Sequence, residues 1–159
     1  LGLLGGVGAA VIMGGFETII EDFPMILLFT PLIAAMAGNV GVQSSAIIVQ
    51  GLANDNIRGS MVNRMFKEIG LSIVNGVILA ALIFIFGFFL NYSINISITL
   101  SISLIMVIIL ASLIGTFVPL ILDKNGIDPA VATGPFITTS NDIFGIFIFF
   151  YIAKVILGF

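Results

Sequence analysis

The chain has 159 residues, 60% of them hydrophobic and only 8% charged, with a mean hydropathy of +1.31; a soluble domain is about one-quarter charged, so a soluble globular fold is excluded. Five Lys and Arg against eight Asp and Glu leave a net charge of −3 and no basic footprint for nucleic acid. Cys and His are both absent, which removes disulfides, thiolate and imidazole metal sites, and the commonest general base.

A spanning helix needs about 20 mostly apolar residues. Five segments meet that length: 1–20, 24–53, 69–90, 94–122 and 129–157. They are continuous apolar runs, without the alternation of a membrane β-barrel. No stretch reads as a cleavable signal. The expected fold class is all-α, a polytopic membrane bundle of five transmembrane helices, with residues 1–159 forming one domain.

Span one is rich in glycine, with Gly2, Gly5, Gly6, Gly8, Gly14 and Gly15, which reads as a close helix-packing face. Glu17 and Glu21 follow, four apart on one face. They form either an acidic rim or a vestibule that concentrates cations. Span two places Pro31, Gly38, Asn39, Gly41, Gln43, Ser44 and Ser45 in its middle. Gly and Pro there imply a local break, tolerated at membrane depth only beside protein or a hydrated cavity. Asn39 and Gln43 share a face, and their carbonyl oxygens can accept from the water shell of a cation.

The connection 54–68 holds Met61, Met65, Phe66 and Ile69 at helical spacing, which suggests a short interfacial helix. Span three is Phe-, Ile- and Leu-rich and is expected to face lipid, with Asn75 in a structural role. Span four scatters Ser101, Ser103, Ser112 and Thr116 along an apolar helix, read as packing residues without chemistry, and Pro119 as a bend.

Span five begins with Asp128 before Pro129, a cap followed by Pro at the first helical position. Asp142 lies fourteen residues on, about 21 Å deeper along a continuous helix. It is expected to be the one acid at such depth. A charge there costs about 2.5–3.5 kcal/mol on insertion scales and marks a functional site by default. No Lys or Arg lies at matching depth, which leaves a proton or a metal cation as its partner. Gly134, Thr138 and Asp142, spaced by four, form one stripe along a pore wall.

Oxygen donors alone favour hard cations such as Mg2+, Ca2+ or Mn2+, and a site this sparse suits a largely hydrated Mg2+. One deep Asp per chain argues for a symmetric dimer that flanks a shared path. An intramembrane aspartyl protease would need two deep Asp residues, and a Ser–His protease needs His; no enzyme and no catalytic cofactor are expected. An ion-coupled carrier, with Asp142 exchanging a proton or Na+ for the metal, stands beside the channel reading. Arg58, Arg64, Lys67 and Lys124 lie in the second and fourth loops, so these face the cytoplasm, with the N-terminus inside and the C-terminus outside a plasma membrane. Lys154 near the outer end can snorkel.

The stretches AGNVGVQSS, FETIIE at Phe16–Glu21, and DPAVATGPFITTSNDIFGIFIFFYIAK resemble, in order and over essentially the whole chain, the membrane domain of the MgtE family of magnesium channels and transporters. The resemblance implies a homodimer in the lipid bilayer, with a path for Mg2+ and other divalent cations lined by spans two and five. It assigns the key acid to Asp142 and the pore carbonyl to Thr138. The polar segment of span two falls on Gly38, Asn39, Gly41 and Gln43, and a cytoplasmic acid on Asp128. Family members often read G-G-N-x-G-N-Q; Ala37 and Val42 stand in place of the first Gly and second Asn, making the lining less polar. The acidic N-terminal and CBS domains of many members are not in these residues; with no initial Met, a trimmed chain is expected.

Overall fold

The computed structural model describes residues 1–54, 60–132 and 134–158, all in helices, turns or short connections. Six helices follow one another: α1 (Gly2–Gly14), α2 (Glu17–Asp22), α3 (Met25–Ala53), α4 (Met61–Phe89), α5 (Ile94–Lys124) and α6 (Pro135–Leu157). A 3-10 turn, Pro129–Ala132, precedes α6. Four of the helices, α3 to α6, are long and apolar enough to cross a membrane. The chain is a multi-pass membrane protein.

The first expected span ends early. The helix stops at Gly14, and Phe16 turns the chain into the short α2. Thirteen residues cover only about 20 Å, less than a hydrocarbon core. Phe16 stacks on Phe150 at 5.6 Å and meets Phe147 edge-on at 6.2 Å, which pins this turn to α6. Glu17 and Glu21 are both exposed.

Residues 61–68 are not a separate interfacial helix. They form the first two turns of α4, because nothing between Met61 and Phe89 stops the helix. Ser60 caps it by accepting from the Asn63 N–H at 3.2 Å. Arg58 lies outside the described residues. Span two is not broken either: α3 runs without interruption through Pro31, Gly38 and Gly41. Its glycines serve close approach to neighbouring helices, not unwinding. Pro119 is likewise buried inside an uninterrupted α5.

α5 is the most enclosed helix and forms the axis of the bundle, with Leu100, Leu104, Val107, Ile108 and Ala111 in the core. α4 runs antiparallel to it: Glu68 meets Ser112, the Ala80 carbonyl accepts from Ser101 at 3.1 Å, and Gly87 abuts Ser97. The face of α4 towards α5 is small (Ser72, Gly76, Ala80, Gly87), whereas Leu71, Val74, Ile78, Leu82 and Phe89 point outward. That distribution lets backbones approach and leaves the bulky side chains exposed.

α6 is antiparallel to α3, pairing Ala37 with Gly145 and Gly41 with Ile137. α1 runs parallel to α6 through Gly5 against Thr139 and Gly8 against Ile143. Gly115 of α5 packs on the Gly41 carbonyl and on Ser44 of α3, so α3 and α5 lie side by side at minimal separation.

A Cβ at Gly115 would collide with the Gly41 backbone, whereas one at Gly6 would meet nothing within 4 Å. Gly115→Ala should therefore destabilise the bundle by about 1–3 kcal/mol through overpacking. Gly6→Ala should leave stability unchanged or slightly higher. Thermal unfolding in detergent, followed by far-UV circular dichroism, checks the contrast.

Candidate cation site

Residues 35–46 of α3 separate into an inward and an outward set by helix rotation. Ala37, Gly41, Ser44 and Ser45 turn inward and are buried. Ala35, Asn39, Gln43 and Ala46 turn outward and are exposed. The inward set is held by neighbours. Asn141 of α6, only 1% exposed, donates its Nδ2–H to the Ala37 carbonyl at 3.2 Å and fills the space beside Gly41. The outward set lines a groove of about 530 Å³ between α3 and α6.

This groove is walled by Gly38, Asn39, Val42, Gln43, Thr138 and Asp142, among others. Five of the eight anticipated residues therefore converge: Asp142, Thr138, Asn39, Gly38 and Gln43. The remaining three lie elsewhere. Gly41 sits at the packing junction with Asn141 and α5. Gly134 is the residue before α6, with a φ of +70° that suits glycine, and does not line the groove. Asp128 is exposed, and its Oδ1 accepts from the Ala130 N–H at 2.9 Å, capping the 3-10 turn.

The position of Asp142 along its helix is also revised. α6 starts at Pro135, so Asp142 stands about 10 Å into the helix rather than 21 Å. The positive φ at Gly134 breaks the continuous helix that the longer estimate assumed. Pro135 occupies the first helical position, where its missing N–H costs nothing. Asp142 is partly buried, and among the described residues no ion pair or hydrogen bond neutralises it. No Lys or Arg lines the groove. Its oxygens are thus available to a hydrated cation, alongside the amide oxygens of Asn39 and Gln43 and the Thr138 hydroxyl.

Asp142 is not the only acid engaged within the bundle. Glu68 of α4 accepts from Ser44 Oγ at 2.9 Å and from Ser112 Oγ at 2.8 Å. Together with Gln43, Ser72 and Asn75 these residues line a second cavity of about 340 Å³ on the other side of α3. Ser112 and Asn75, read from sequence as packing residues, belong to this cavity. Glu68 falls in the 54–68 connection of the sequence, and the helical pattern that continues from Met61 into span three is the signal that places it on α4. Asn141 was hidden as one of several polar residues preceding Asp142.

The sequence profile of the MgtE family, described as a divalent cation transporter, matches residues 30–152. The chain belongs to the MgtE family. It is 32% identical over 149 residues to the magnesium transporter MgtE of Bacillus subtilis, covering 93% of this chain and 33% of that protein. The Enterococcus faecalis magnesium transporter MgtE is 31% identical over 150 residues, covering 94% of this chain and 33% of the relative. That of Thermus thermophilus is 27% identical over 156 residues, covering 98% and 34%. The chain thus spans about a third of the length of these MgtE relatives. The family match covers both walls of the groove, from Asn39 to Asp142.

Asn141→Ala removes a buried interhelical bond, and membrane bonds of this kind contribute about 0.6–2 kcal/mol. The variant should melt at lower temperature in detergent. Asn75→Ala, at an exposed position, should shift the melting temperature less.

Proposed function

We propose that residues 1–159 form an ion-conducting transmembrane unit that passes Mg2+ across the plasma membrane, with Asp142 attracting the hydrated ion. The observation that carries this is the Asp142 groove: one carboxylate, two amide side chains and a hydroxyl, with no basic residue among its walls. Mg2+ sheds water reluctantly, so a wide, oxygen-lined surface suits it better than a closed cage. The names of the MgtE relatives support magnesium as the cargo.

The groove lies on an outward face of the single chain, with Asn39 and Gln43 exposed. Polar side chains at this depth are disfavoured against lipid. A second copy related by two-fold symmetry would cover them and turn two grooves into one path, flanked by α3 and α6 of both protomers. Asp142 from each chain would then double the negative charge along it. In this reading the chain makes five crossings, with α1 and the short α2 together, packed beside α6, as the first. Arg64, Lys67 and Lys124 cluster at the end shared by the start of α4 and the end of α5, which the positive-inside tendency assigns to the cytoplasm. The N-terminus then lies inside and the C-terminus outside. The site has the composition of a transport path, not of a catalytic centre.

Asp142→Asn and Asp142→Ala should each reduce Mg2+ flux into reconstituted vesicles by roughly tenfold or more, at unchanged folding, since a fixed charge lining a cleft raises the local concentration of its counter-ion by about that factor. Wild-type flux from both variants would defeat the assignment. Asn39→Leu should impair flux more than Asn75→Leu; the reverse order would place the path along α4 instead. Currents driven by the Mg2+ gradient alone identify a channel. Flux that stops without a Na+ or proton gradient identifies a coupled carrier.

A further inference from the structure

Glu68 lies about two turns into α4 and, among the described residues, is the one point where α3, α4 and α5 are joined by a single oxygen atom. Its Oε1 accepts from Ser44 of α3 and from Ser112 of α5. Both serines are buried, and their hydroxyls also lie 3.4 Å apart. The charged groups near Glu68 are Arg64, one turn earlier on the same helix, and Lys67, its neighbour; with Glu68 they line an adjoining cavity. α3 presents no charged residue, and those of α5, Asp123 and Lys124, lie in its last turn, about 16 Å along the helix from Ser112. Two cations beside the carboxylate disfavour a second metal ion there. Two hydroxyl donors aimed at one oxygen instead describe a hydrogen-bond acceptor with a structural duty.

That duty concerns the groove. Ser44 is next to Gln43, which lines both the Asp142 groove and the cavity around Glu68. Asn39 precedes Gln43 by one turn on the same exposed face. Whatever fixes the rotation and height of α3 at Ser44 therefore fixes where these two amides stand relative to Asp142. Asn141 anchors α3 from the α6 side, at Ala37. Glu68 and Ser112 supply the hydrogen-bonded anchor on the opposite side, beside the close packing of Gly41 on Gly115.

We infer that Glu68 is a positioning residue: by accepting from Ser44 and Ser112 it holds α3 in the rotation that presents Asn39 and Gln43 to the groove. The inference rests on the reading of that groove as the cation path. It acts through acceptance, so the neutral amide of Gln should replace it, and a hydrocarbon should not.

The chain has no Cys, which permits a background-free reporter. Ala46→Cys, on the groove wall, is reacted with a charged thiol reagent in vesicles while Mg2+ uptake is measured separately. Glu68→Gln should keep uptake within about twofold and leave thiol reactivity unchanged, since the acceptor is retained. Glu68→Leu strands two buried hydroxyls and should lower uptake about tenfold and change reactivity about threefold or more. The double variant Ser44→Ala, Ser112→Ala should shift reactivity in the same direction, which keeps the test open if Glu68→Leu does not fold. Loss of uptake in Glu68→Gln at unchanged reactivity would overturn the inference, because charge and not acceptance would then matter. Unchanged reactivity in both Glu68→Leu and the double serine variant would overturn it as well. Should Asp142→Asn conduct normally while Glu68→Leu still shifts reactivity, the reading of the path falls and the role of Glu68 in holding α3 stands.

Discussion

The segment of α3 from Ala37 to Ser44 is gripped from more than one side, and the rest of the site depends on that grip. Gly41 allows it twice. The absence of a side chain makes room for the amide of Asn141, and the Gly41 carbonyl lies against Gly115 of α5. Asn141 bonds the Ala37 carbonyl from α6, and Ser44 meets Ser112 and Glu68 from α5 and α4. Without apolar driving force between helices in lipid, close packing of small residues and interhelical hydrogen bonds are the forces available. Both converge on these two turns. What remains free is the opposite face of the same turns, and that face carries Asn39 and Gln43.

The economy of charge follows from the same setting. A carboxylate within the hydrocarbon costs about 2.5–3.5 kcal/mol on insertion scales, and a chain that is 8% charged has few to place there. Glu68 is held by two hydroxyls and stays fixed. Asp142 has no such partners among the described residues and remains open on a groove. Two acids in neighbouring parts of one bundle thus take different duties according to their donors: one ties helices together, and the other faces the proposed path.

Much of this was legible in the residues. Apolar run lengths anticipated α3, α5 and the bulk of α4 within a few positions, because a helix in lipid must bond its whole backbone internally. Four-residue spacing put Asn39 with Gln43 and Thr138 with Asp142, and both pairs line the groove. Where spacing was extended across a hidden break, it failed. The run from Asp128 to Asp142 looks like one helix, yet Gly134 at positive φ divides it, so the acid stands only about two turns into α6. Glycine carried opposite meanings at different sites. Gly134 interrupts a helix, whereas Gly38 and Gly41 sit within one and admit neighbours. Composition alone does not distinguish a glycine used for its φ from one used for its missing Cβ.

By itself, the sequence determined that this chain lives in a membrane, that its segments are helical, and that it has no thiolate or imidazole to offer a metal. These follow from composition and periodicity, which act residue by residue. Tertiary structure decided which polar groups are spent on holding helices and which are left over. Ser112, Glu68 and Asn141 are consumed in interhelical bonds; Asp142, Asn39 and Gln43 are not. The difference is set by which helix faces meet across more than one hundred residues of chain, as between Ala37 and Asn141. No local pattern encodes that, because each helix presents both faces and only packing selects one.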